Sequence, residues 1–309
     1  MRLPSNSARI RELRCLSLNC MIALAMEIVS RVSRMSSLAT KIAAGECKIG
    51  LVPTMGSIHP GHLSLIQTAR KMTDVVVVSI FVNRLQFLSE EEYGSYPRDI
   101  TADVDRLKDE SVDYIFTPPE EEMYPPGFST YVVVESYGRK LPELQRSTYL
   151  RGMTTSVVKM LNIVKPAFIF FGQKDGLQGA ILQKMMRDLD IATEVVVRPV
   201  VRDASGLAFA ARNLFLSEPQ KVAAAVIYRS LQAAEASIHA GETQTKKIVK
   251  QMTSVIETEP LARLEYAIVA DPSTLEPVAR VQGKVLLAVG ARIGETSLND
   301  SLLVESVSK

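Results

Sequence analysis

Cysteine is scarce: Cys15, Cys20 and Cys47 are the three in a chain of 309 residues. They are too few for a disulfide framework and their spacing fits no zinc motif, so a reducing compartment is the default. Net charge is almost absent as well, with 36 Lys+Arg against 34 Asp+Glu. A dedicated nucleic-acid or polybasic membrane binder would carry a basic patch or stripe, so neither partner is expected. The longest uncharged run near the N-terminus, Cys15 to Met26, has twelve residues, short of the roughly 18 that a membrane-spanning helix needs. Internal repeats, low-complexity tracts and long linkers are missing. So are two phosphate-binding signatures: Gly-x4-Gly-Lys-Ser/Thr, and Gly-x-Gly-x-x-Gly after a strand. P-loop kinases and nicotinamide dehydrogenases are thereby disfavoured. What is there is 47% hydrophobic and 23% charged, with chain enough for one large or two ordinary domains.

Residues 1–25 differ from the rest. Arg2, Arg9, Arg11 and Arg14 stand there against the single acid Glu12, with two of the three cysteines. Three origins fit: an extension upstream of a start at Met26, an organelle transit peptide rich in Arg and Ser, or a signal peptide ending in Ala23-Leu24-Ala25. The first is the plainest, and it leaves a cytoplasmic protein. Without the segment the formal charge goes from +2 to −1.

From Lys48 onward, short β-branched runs alternate with longer helical stretches, the pattern of βαβ units around a parallel sheet. Strands are expected at Ile49–Pro53, Val75–Val82, Asp113–Phe116, Phe168–Phe171 and Glu194–Val201. Helices are expected at His62–Met72, Ile100–Glu110, Gly152–Val164 and Leu177–Leu189. The continuous run Val75 to Val82 suits a strand covered on both faces. After about Val201 the texture changes to helical Pro219–Ala240 and Thr243–Thr258, then strand-like Leu264–Val269 and Lys284–Val289. The expected fold is α/β, a doubly wound parallel sheet over 26–201 and a smaller α+β domain over 202–309.

Two of the three histidines share one segment, Pro53-Thr54-Met55-Gly56-Ser57-Ile58-His59-Pro60-Gly61-His62. It runs from the end of the first strand of that sheet into a helix, where N–H donors and the positive end of the dipole suit an anion. Two imidazoles there can donate hydrogen bonds to negative charge growing on a phosphate. Zinc is less suited, for no third His or Cys lies near. The third, His239, stands at a helix end and reads as structural.

These residues resemble the pantothenate synthetase (pantoate–β-alanine ligase) family, part of the Rossmann-like nucleotidyltransferases with a His-x-Gly-His device. The likeness runs from Met26 to Glu305. It is carried by Gly50 to Gly56 leading into His59-Pro60-Gly61-His62, by Ser79 to Asn83 with Gln86-Phe87, and by Tyr96-Pro97-Arg98-Asp99 and Glu122 to Pro125. Gly172-Gln173-Lys174-Asp175, Gly206-Leu207-Ala208 and Arg212-Asn213 complete it. Each piece alone is weak; their order and spacing are not. The resemblance implies condensation of pantoate and β-alanine using ATP and magnesium, through a pantoyl adenylate, by a homodimer whose smaller domain acts as a lid. It places catalysis on His62, His59 and Lys174, with His62 matching the family's proton donor, and pantoate or β-alanine contacts on Gln86, Gln178 and Asn83. ATP contacts fall on Met55, Gly56, Ser57, Ile58, His59, Pro60, Gly61, His62, Gly172, Gln173, Lys174, Asp175, Val201, Phe209, Ala210, Ala211 and Arg212. It gives no protein ligands for magnesium.

The chain departs from that pattern inside the site. Arg84 and Leu85 follow Asn83 where the family has Pro and Thr/Met, which puts a bulky cation near the pantoate residues and removes a stiffening proline. Gln173 replaces a Glu, Gly176 and Leu177 replace aromatic or Gln-rich residues, and Tyr149 stands for a His. Ala210-Ala211 replaces two serines that donate to ATP phosphates, so attenuated activity is expected. The alternatives are a degenerate homologue that binds without turnover, or another nucleotidyltransferase. A synthetase relative is remote, because the chain has no Lys-Met-Ser-Lys-Ser loop.

Overall fold

The computed structural model describes residues 25–87, 89–135 and 147–306; the expectations for residues 1–24 lie outside them. Six strands form one sheet: β1 (Glu27–Val29), β2 (Ile49–Thr54), β3 (Val75–Ile80), β4 (Tyr114–Phe116), β5 (Phe168–Gly172) and β6 (Glu194–Arg198), in the order β1-β4-β3-β2-β5-β6. The pairs β1/β4, β4/β3, β3/β2 and β2/β5 are all parallel. All six residues of β3 are buried, as a strand covered on both faces must be.

The helices that bear on the argument are α1 (Val32–Ala44), α2 (Pro60–Met72), α3 (Glu90–Ser95), α4 (Ile100–Leu107), α5 (Glu120–Met123), α6 (Ser147–Val164) and α7 (Gly176–Asp188). Val52, Ile58, Leu65, Ile66, Val76, Val78, Leu107, Ile115 and Phe170 share one core, which seats α2 and α4 on the sheet. β2 lies at the centre, and the strand order reverses between β2 and β5. In open α/β sheets ligands sit at the carboxyl ends of the strands at such a switch point.

A second sheet of three antiparallel strands, β7 (Ala262–Ala270), β8 (Lys284–Ile293) and β9 (Thr296–Glu305), packs with helices α8 (Glu218–Ala224), α9 (Val226–His239) and α10 (Thr245–Ile256). Thr245, Ile248, Met252 and Ile256 of α10 are buried at intervals of three and four, the stripe a helix lays on a sheet. The α/β fold with a smaller α+β portion is therefore as expected.

The chain clusters into two compact units. Of the described residues, the first holds 25–87, 89–133, 147–171 and 188–196, and the second holds 134–135, 172–187 and 197–306. The helix expected over Pro219–Ala240 is divided at Ala225. β1, β9, α1, α3 and α5 have no counterpart among the sequence expectations. Among the described residues no helix is long and apolar enough to cross a membrane.

Candidate functional site

In the first unit, β2 ends at Thr54 and the chain turns into α2 through Met55 to His59. The turn needs two successive left-handed residues, Gly56 at φ 82 and Ser57 at φ 53. Glycine is required at 56 on a second count, since a Cβ there would lie 2.8 Å from Asp103 Oδ2. Asp103, on α4 and 3% exposed, accepts from Ser57 N at 2.9 Å and Ile58 N at 2.7 Å, while Arg106 of the same helix donates to Ile58 O. Thr54 Oγ1 donates to Ser79 O at 2.9 Å and accepts from Gly56 N at 3.1 Å. The loop is thus clamped from both sides before the helix begins.

His59 is the N-cap of α2, Pro60 its first residue, and His62 lies in the first turn. Proline suits that first position because its missing N–H would have no partner within the helix. The two imidazoles stack with ring centroids 3.8 Å apart and an interplanar angle of 18°. Gly61 permits this: a Cβ on it would approach the His59 ring to 2.9 Å. The N–H groups of His62 and Leu63 donate to His59 O at 2.8 and 3.2 Å, and those of Ser57 and Ile58 are taken by Asp103. Fewer backbone donors face a ligand than a bare helix N-terminus offers. The imidazoles and the helix dipole carry correspondingly more of any anion stabilisation.

Gln86 closes a 3-10 turn over Arg84–Gln86 that Asn83 caps. Asn83 is 1% exposed; its amide donates to Gly152 O at 2.9 Å and its carbonyl accepts from Leu85 N at 3.2 Å. Its side chain ties the turn to α6. Arg84 reaches Glu90 at 2.5 Å and Tyr93 at 5.9 Å, with half of its side chain exposed. Glu90 and Tyr93 of α3 thus receive the Arg84 cation, and Asn83 caps the turn that lacks the proline.

In the second unit, Gly172 ends β5 and Gln173–Asp175 forms a 3-10 turn leading into α7, whose third residue is Gln178. Asp175 Oδ1 accepts from Lys174 Nζ at 3.2 Å and from Asn299 Nδ2 at 2.9 Å. Burial pushes this carboxyl up, but Lys174, the Asn299 hydrogen bond and the nearby Arg212 outweigh it and hold it below the usual carboxylate range. Val201 O accepts from Phe209 N at 3.1 Å, closing a hairpin that delivers Ala210, Ala211 and Arg212. Ala210 is extended and opens the 3-10 turn Ala211–Phe215. Asn213 Nδ2 donates to Ala208 O at 2.9 Å and so fixes that turn.

Asp103 and Asn299 were not singled out from the sequence. Asp103 has a signal: with Ile100, Val104 and Leu107 it falls on the apolar stripe of α4, where a carboxylate needs a partner. Asn299 has none, because its partner is distant in the chain. Among the described residues there is no group of three or more His, Cys, Asp or Glu able to hold a metal.

The family model for pantoate-beta-alanine ligase matches residues 27–303. The chain is 43% identical over 281 residues to pantothenate synthetase of Thermodesulfovibrio yellowstonii, covering 91% of this chain and 100% of the relative. It is 40% identical to that of Thermosipho africanus over 90% of this chain and 100% of the relative. A crystal structure of pantothenate synthetase from Thermus thermophilus superposes with a TM-score of 0.84 at 36% identity, over 90% of this chain and 99% of that one. One of pantoate-beta-alanine ligase from Francisella tularensis, complexed with beta-gamma ATP and beta-alanine, does so at 0.74 and 30% identity, over 90% and 98%. The chain belongs to the pantoate–β-alanine ligase family.

Proposed function

We propose that this ligase condenses pantoate with β-alanine to give pantothenate, using ATP through a pantoyl adenylate. A pantoate carboxylate oxygen attacks the α-phosphorus of ATP and pyrophosphate leaves. The β-alanine amine then attacks the acyl carbon, loses a proton, and AMP leaves. The observation that carries this reading is the stacked pair His59 and His62 at the N-terminus of α2, at the carboxyl end of the central strand. Their N–H groups would stabilise charge on the α-phosphate and the leaving pyrophosphate, with His62 as proton donor. Lys174 and Arg212 would supply cationic charge to the triphosphate, and Gln86 and Gln178 would hold pantoate, which orients its carboxylate for attack. The Francisella tularensis relative, complexed with an ATP ligand and beta-alanine, supports the same substrates here. Magnesium, bound to the phosphates, would neutralise part of their charge.

Ala210 and Ala211 attenuate rather than abolish this activity, because Arg212 and Lys174 remain. The working form is a cytoplasmic homodimer. Purified chain given pantoate, β-alanine, ATP and magnesium tests the reading: AMP formation that strictly requires pantoate is expected. ATP binding without AMP would instead favour a degenerate homologue, and turnover with a different acid another nucleotidyltransferase.

A further inference from the structure

β9 carries three consecutive polar residues, Asn299, Asp300 and Ser301, although Ser301 is fully buried and Asp300 only 3% exposed. Strand alternation puts Asn299 and Ser301 on one face and Asp300 on the other. On the first face, Ser301 Oγ donates to Gln173 O at 2.5 Å, and Asn299 Nδ2 donates to Asp175 Oδ1 at 2.9 Å, the same oxygen that Lys174 reaches at 3.2 Å. The Gln173–Asp175 turn lies directly on the strand. A Cβ on Gly176 would come within 2.6 Å of Ser301 Oγ, so glycine permits the approach.

On the second face, Asp300 accepts both terminal nitrogens of Arg202, one of them at 3.2 Å. The same guanidinium donates to Gly206 O at 3.2 Å and lies 3.6 Å over the ring of Tyr228. Arg202 pairs with Ala208 across the hairpin that leads into Phe209 to Arg212. A buried bidentate pair of this kind fixes geometry, because breaking it leaves a charge without its partner. The charge of Arg212 is in turn felt at Asp175.

We infer that Asn299, Asp300 and Ser301 are positioning residues for adenylation: one strand holds the Lys174 turn by one face and the Arg212 hairpin by the other, and so sets the spacing of the two cations offered to the triphosphate. This rests on the ATP-dependent reading above. Asn299 also shares the Asp175 oxygen with Lys174, which fixes where the ammonium lies.

The test is steady-state, pantoate-dependent pyrophosphate release from ATP by the full chain at saturating β-alanine, together with ATP affinity by calorimetry and the urea midpoint. Asn299→Leu keeps the volume and loses the donor; Ser301→Ala loses the hydroxyl and Ser301→Thr keeps it. We expect Asn299→Leu and Ser301→Ala to raise the KM for ATP about tenfold, to leave the KM for pantoate within about twofold, and Ser301→Thr to restore the parent value. Parent-like kinetics in both variants overturn the inference. So does a loss shared equally by both KM values and tracking the urea midpoint, which is a folding effect. A parent that binds ATP but releases no pyrophosphate sinks the ligase reading alone; ATP affinity then decides, and unchanged affinity in the variants overturns the brace. A parent that does neither overturns both.

Discussion

Asp103 does two jobs with one carboxylate: it satisfies the N–H groups of Ser57 and Ile58 and holds the left-handed Gly56–Ser57 bend that aims His59. Hydrogen bonds to a charged group contribute about 1.5–3 kcal/mol each. Asp103→Ala removes both and strands two donors, so a loss of about 3 kcal/mol in stability is expected by urea denaturation, with pyrophosphate release slowed more than ATP binding. At Ala210 and Ala211 the missing groups are hydroxyls. Restoring serine at either position should lower the KM for ATP roughly tenfold, one charged hydrogen bond's worth; steady-state kinetics left unchanged with both restored would remove attenuation from the account. Tyr124 gives a pH signature. Burial pushes its phenol up to about 12, against smaller opposing contributions from Asn83 and Ser156. The unfolded chain ionises this group near its ordinary value of about 10, so the contribution to stability is complete below about pH 10 and is lost as pH rises from about 10 to about 12. In Tyr124→Phe the fall in the unfolding midpoint over that interval should be shallower.

Among the elements, α10 shows how directly sequence pattern becomes packing: its buried Ile248, Met252 and Ile256 join Leu231, Ala234 and Leu287 in the second core. Met252→Ala should therefore cost about 2–5 kcal/mol, read as a lower urea midpoint, whereas Lys250→Ala on the opposite face should leave it nearly unchanged. The same directness made β2, β3, α2 and α7 legible, since periodic apolar runs decide them. Other elements owe their form to partners the local sequence does not name. β1 has three residues and exists by pairing with β4. β9 hides behind Asn299, Asp300 and Ser301, polar residues that read as loop until Gln173, Asp175 and Arg202 are seen to receive them. The site divides the same way. His59 and His62 are local to a strand-to-helix turn and can be read from spacing, while the carboxylate clamp at Asp103 bridges 45 residues to Ile58. The hydrogen bond of Asn83 was hidden for this reason too: its partner, Gly152 O, is 69 residues away.

For the molecule as a whole, the slight positive charge and two of the three cysteines belong to residues 1–25, which the family match from residue 27 does not include. β1 begins at Glu27, where Ile28 and Val29 pair with Ile115 and Phe116, and Met26 packs against the first core. Among the described residues, a cut before Met26 spares every backbone pair of the sheet edge, whereas a cut after Val29 removes β1 and exposes β4. Two truncated chains separate the consequences. The chain starting at Met26 should keep the urea midpoint of the full chain and its pantoate-dependent AMP formation within about twofold. The chain starting at Ser30 should unfold at lower urea, because the Tyr114–Phe116 edge loses its partner and Val29, 1% exposed in the full chain, no longer fills the core. Equal losses in the two truncations would show that residues 1–25 support the catalytic fold after all, and would move the functional start of the chain upstream.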